Sequence, residues 1–136
     1  MTAGAVRRDP ATAGFFDGTA RGEFLLRRCR DCGALGEPYL RQCRGCESAR
    51  LEWVPASGRG RVISWSVVHG RPAEDGARPR TVVAIAELDE GPHWWAEILD
   101  ADPDVVTDQG LAAGQRVTIG FEQVQDHEAV PVFRLG

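Results

Sequence analysis

Apolar positions repeat with two different periods along this chain. Between Phe15 and Arg28, the residues Phe15, Phe16, Thr19, Ala20, Phe24 and Leu25 or Leu26 recur three and four apart. That spacing lines one face of a helix, so a short amphipathic helix interrupted near Gly22 is expected to run toward Cys29. From Leu51 onward the period shortens to that of strands, with β-branched and aromatic residues in short runs. Leu51–Val54, Arg61–His69, Thr81–Leu88, His93–Leu99, Arg116–Gln123 and Ala129–Leu135 are the expected strands. Pro55–Gly60 and Asp89–Pro92 carry turn chemistry, and Gly70–Pro79 reads as a loop. Asp100–Gln115 leaves room for a short turn of helix, while residues 1–13 have no period and read as a frayed arm. Five strands after residue 57, with one longer connection and no helical period between them, predict a small antiparallel barrel, of which the OB-fold is the commonest form.

Between the helical and strand patterns lie all four cysteines, as two C-x2-C pairs: Cys29 with Cys32 and Cys43 with Cys46. A two-residue gap lets one tight turn aim both sulfurs at a common point, and four thiolates suit a tetrahedral zinc ion. Gly33 and Gly45 supply unhindered backbone for the two knuckles. Two disulfides are the competing reading and need an oxidising compartment. Arg7, Arg8, Asp9 and Pro10 interrupt any apolar leader in the first twenty residues, so a cytoplasmic protein with structural Zn2+ is expected. Iron or an unmetallated redox pair remain the other occupants. A closed four-sulfur site leaves no coordination position for substrate, so this metal would hold a fold together and chemistry would lie elsewhere. The chain then divides into an N-terminal arm and helix over 1–28, a rubredoxin-like zinc ribbon over 29–56 and a five-stranded OB-fold barrel over 57–136, mainly β.

Charge sharpens this division. All sixteen basic residues are arginine, which reads as GC-rich coding rather than function. Residues 21–50 carry seven arginines against four acids, whereas residues 81–136 carry two against eleven. The ribbon end is therefore basic and the barrel acidic within a total of −4. A single-strand nucleic-acid binder needs a positive groove with stacked aromatics, and an acidic barrel repels phosphate. No run approaches the roughly 20 apolar residues that span a bilayer.

The paired aromatics, the C-x2-C-G knuckle, the proline-containing spacer, the second knuckle and the Trp53–Val62 entry into five strands together resemble a known family. It is the zinc-ribbon OB-fold family associated with acyl-CoA metabolism, catalogued as a domain of unknown function. Gly58–Val62, Ser66–His69, Val83–Gly91 and Pro131–Arg134 carry the resemblance, which covers Phe15 to Leu135. The chain departs from the family pattern at Ala77–Arg80 and at His93–Trp95. The resemblance implies an accessory subunit of a thiolase-superfamily enzyme, either a lipid-transfer-type thiolase or a retro-aldolase that shortens steroid side chains. The partner would own the catalytic groups, and this chain would stabilise it and help hold the CoA ester. A nucleic-acid module and a free-standing acyl-CoA carrier are the alternatives.

Candidate residues follow from chemistry. His69, His93, His127 and the lone Tyr39 show no triad spacing, and the only nucleophilic sulfurs belong to the metal site, so no catalytic residue is expected. CoA carries a diphosphate and a 3′-phosphate, for which arginine is a bidentate donor. Arg27, Arg28, Arg30, Arg41 and Arg44 are the candidates for CoA binding or partner steering, against the plainer reading of a solvated basic face. Phe15, Phe16, Trp94 and Trp95 are the partner-interface candidates, since large aromatics dominate interface energies. Trp94 and Trp95, adjacent on a strand, must point to opposite faces.

Overall fold

The computed structural model describes residues 6–123 and 125–136; the first five residues of the expected arm lie outside them. The expected long helix is only half present. Helix α1 spans Ala13–Ala20, and Gly22, at φ 78°, turns the chain out of it. Leu25–Cys29 then forms strand β1, not helix. Phe24, Leu25 and Leu26 satisfied a three-to-four spacing only because consecutive apolar residues fit either period. What decides is the partner: β1 pairs antiparallel with β2 (Leu35–Gly36) on one side and β3 (Leu51–Pro55) on the other, with Arg27 opposite Trp53 and Cys29 opposite Leu51.

The second sheet is built from β4 (Arg59–His69), β5 (Arg80–Leu88), β6 (His93–Glu97), β7 (Arg116–Gln123) and β8 (Ala129–Leu135), in the order β6-β5-β4-β7-β8. All its pairings are antiparallel, and β4 is kinked by a bulge between Val62 and Ser64. A parallel bridge between Ile98 and Phe133 joins the two ends, so the barrel is closed by one parallel contact. Helix α2 (Pro103–Gln109) lies in the longer connection. It opens on Asp102, whose carboxylate accepts from the Asp104 N–H, and on Pro103, which has no N–H to leave unpaired.

The barrel core contains Val82, Ala86, Ile98, Val117 and Phe133. A second core joins the N-terminal part to the barrel: Phe15, Phe16, Phe24, Leu26 and Leu88 are buried together. Fully burying each such side chain contributes roughly 1.5–3 kcal/mol, so this seam fixes helix, ribbon and barrel to one another. No helix among the described residues is long and apolar enough to cross a membrane.

Candidate metal centre and aromatic groove

The two knuckles bring their sulfurs together. All four Sγ atoms lie within 4.8 Å of one another, with Cys29–Cys46 and Cys32–Cys43 both at 3.5 Å. The short contacts cross from one knuckle to the other, close to the ~3.8 Å edge of a tetrahedron with 2.3 Å metal–sulfur bonds. The four sulfurs form one cluster, with no disulfide between any pair in this structure. Each pair is set by its own turn: Gly33 N–H donates to the Cys29 carbonyl at 2.8 Å and Glu47 N–H to the Cys43 carbonyl at 2.9 Å. Backbone N–H groups also point at sulfur. The Cys32 amide foremost holds the Cys29 thiol down to about 6, and the Cys46 and Gly45 amides lower Cys43. At Cys46 the Ser48 amide acts in the same direction, but the bond with Cys29 and burial outweigh it and the thiol is pushed up to about 12. Such a set of thiols can hold a metal ion.

The arginines do not form one basic patch. Arg28 and Arg30 both approach Glu52, at 3.3 and 3.7 Å. Arg44 pairs at 2.9 Å with Glu37, a carboxylate buried at the ribbon edge. The Arg27 guanidinium carbon lies over the Trp53 ring, 4.0 Å from its centroid, with Nε donating to the Leu40 carbonyl. Arg41 is exposed, close enough to help lower the Asp9 pKa. Only Arg27 and Arg41 of the five line the main groove.

That groove, of about 820 Å³, runs between the N-terminal segment, the Pro38–Arg41 turn of the ribbon and the start of β6. Its floor corrects an expectation. Phe15 and Phe16 are buried inside this chain rather than presented to a partner. Phe15 packs edge-on against Phe16 and Phe24, at 5.2 and 5.5 Å between centroids, and within 5.7 Å of Trp94. Gly14 lets the helix lie directly beneath the Trp53 indole, where any Cβ would collide with the ring. Trp94 faces inward, against Phe24 at 4.9 Å, and Trp95 faces outward, 62% exposed. Tyr39, 65% exposed, stands on the ribbon side of the same groove. Trp53, Tyr39 and Leu40 escaped the sequence reading, because their convergence depends on the β1–β3 register and the fold of the ribbon turn.

The histidines are dispersed. His93 Nε2 is 3.7 Å from Glu87, His127 Nδ1 is 2.8 Å from the Gln125 carbonyl, and His69 ends β4 opposite Arg80.

A four-thiol ribbon packed on a closed five-stranded barrel, with an aromatic groove along the seam, defines a two-module OB-fold protein. Residues 53–122 match the family model described as ChsH2, C-terminal OB-fold domain. The chain belongs to this DUF35 OB-fold family. It is 35% identical over 100 residues to a DUF35 domain-containing scaffold protein of Methanocaldococcus jannaschii, covering 73% of this chain and 67% of that one. Over 92 residues it is 37% identical to the 3-oxo-4,17-pregnadiene-20-carboxyl-CoA hydratase alpha subunit of Mycobacterium tuberculosis, covering 68% of this chain but only 29% of that longer protein. Among solved structures, a chain of the Ltp2-ChsH2(DUF35) aldolase superposes with a TM-score of 0.77 at 28% identity, covering 98% of both chains. A DUF35-family protein of unknown function from Sulfolobus solfataricus shares the fold at a TM-score of 0.58 and 16% identity, covering 94% of this chain and 85% of that one.

Proposed function

We propose that this chain is a non-catalytic accessory subunit of an enzyme complex acting on acyl-CoA esters, and that its partner is a thiolase-superfamily enzyme that breaks or forms a carbon–carbon bond. The observation that carries this reading is the end-to-end likeness to the DUF35 chain of the Ltp2-ChsH2 aldolase. The relative named as a steroid-CoA hydratase subunit makes steroid CoA esters the first substrate class to try. Cys29, Cys32, Cys43 and Cys46 hold one structural Zn2+ in this reading, and the arm with its helix (1–28), the ribbon (29–56) and the barrel (57–136) are its three parts. The metal's contribution is a folded ribbon, since four protein ligands leave no position for substrate.

Tyr39 and Trp95, the exposed aromatics on the groove, replace Phe15 and Phe16 as the residues offered to the partner. Arg27 and Arg41 are the arginines placed to meet an anionic group, such as a CoA phosphate, at the same groove. Co-expression with a candidate thiolase-superfamily enzyme from the same organism, followed by affinity capture, tests the assignment. Wild-type chain is expected to bring the enzyme down in fixed proportion, and Trp95→Ala to weaken the complex by about 1–4 kcal/mol, the range of a buried interface anchor, with metal content unchanged. Failure to capture the enzyme would refute the assignment, and an unchanged affinity would move the interface off the groove.

A further inference from the structure

The barrel leaves part of one strand open. β4 runs from Arg59 to His69, yet β7 covers only its first part, at Arg59–Arg61, after which the Val62 N–H donates to the Gln115 carbonyl. Beyond the bulge, β4 and β5 continue as a two-stranded ribbon. The Gly70 N–H donates to the Pro79 carbonyl at 2.7 Å. Because alternate residues face the partner in an antiparallel pair, Val68, Ser66 and Ser64 bond β5, and Trp65, Val67 and His69 direct their N–H and C=O groups to the other side. Among the described residues, no strand and no backbone group pairs with these three on that side.

An open edge is a template for another strand, and folded proteins usually guard such edges with charge or proline. Ile63–Val68 contains neither, nor any glycine. Its exposed side chains are uncharged: Ile63 is 48% exposed, Trp65, whose ring borders Gly110 at the end of α2, 40% and Val68 39%, with Ser64 and Ser66 exposed between them.

We infer that this edge pairs with the same edge of a second copy of the chain. The register is self-complementary. With a two-fold axis at Val67, Val67 meets its own copy, Trp65 meets His69 and Ser66 meets Val68. Trp65, Val67 and His69 of each copy then each donate and accept one backbone hydrogen bond. Trp65 across from His69 is an aromatic cross-strand pair, and no two like charges face one another within Ile63–Val68. An antiparallel edge pairing is also the natural form of an isologous two-fold contact. This inference does not depend on the identity of the enzyme partner.

Sedimentation velocity on the purified chain reads the result, with amide hydrogen exchange as the local probe. Wild type is expected to reach twice 14.8 kDa as concentration rises, with exchange at Trp65, Val67 and His69 slowing in step. His69→Pro removes an outward N–H but no bond to β5, and Ser66→Lys adds the missing guard. Each is expected to be monomeric where wild type is dimeric, with unchanged circular dichroism. A monomeric wild type at every concentration, a dimer that survives both substitutions, or protection of these amides only when a different protein is added would overturn the inference.

Discussion

Arg8 fastens the N-terminal segment to the barrel. Its guanidinium donates to both oxygens of Glu128, each at 3.0 Å, and to Asp17 at 2.6 Å, while the Glu128 N–H donates to the Val6 carbonyl. The hydrogen bond from Arg8 holds the Glu128 carboxyl below its ordinary value. A carboxyl with a depressed native pKa stabilises the fold at all pH above its unfolded value, about 4.3 for Glu, and loses that contribution as pH falls through the native value. Acidification below pH ~4 is therefore expected to loosen the segment first, read as faster exchange of the Glu128 amide, and Arg8→Ala should bring the same change at neutral pH. At this scale the sequence was least legible. Residues 120 apart meet in this ion pair, and Arg28 and Arg44 find Glu52 and Glu37 only once the ribbon has folded. Phe15 shows the same effect from the apolar side. Buried among Phe16, Phe24 and Trp94, Phe15→Ala should cost roughly 3–5 kcal/mol of folding stability in the isolated chain, measured by urea unfolding. A change of a few tenths would return Phe15 to the surface.

Among the elements, strands were legible where they are long and sheet-forming on their own account. Arg116–Gln123 and Ala129–Leu135 coincide with the observed β7 and β8, because alternation and turn residues act locally. β1 was not legible, since its strand identity comes from pairing with β3 across the ribbon, and β2 is only two residues long. The cysteine site was legible for the opposite reason: spacing alone fixes the knuckles, and the fold needs only to bring them together. Replacing Cys43 with Ser is expected to abolish stoichiometric zinc and to expose residues 29–50 to exchange and proteolysis while the barrel amides stay protected, because metal-binding energy in such sites is folding energy. Retained zinc with unchanged stability would remove the structural-metal assignment.

For the whole molecule, charge distribution and the seam between ribbon and barrel bear on what the chain can bind. The barrel's acidic balance argues against a phosphate backbone along its faces, so the chain is expected to give no salt-sensitive shift with single-stranded DNA or RNA. A shift that weakens steeply with salt would reopen the nucleic-acid alternative. The groove along the seam instead presents Tyr39 and Trp95 beside Arg27 and Arg41, a mixture of aromatic and arginine side chains typical of binding hot spots. It was only partly legible: Trp95 and the arginines could be named, but not their assembly with Trp53 and Tyr39, which depends on how ribbon and barrel pack.

The central claim is that this chain supports a reaction it does not perform. The most direct measurement is the rate of acyl-CoA carbon–carbon bond cleavage or formation by the chain alone, by the thiolase-like enzyme alone and by the two together. The predicted result is no turnover by the chain and a rate for the pair above that of the enzyme by itself. Turnover by the isolated chain, or an enzyme whose rate and stability are indifferent to it, would contradict the claim.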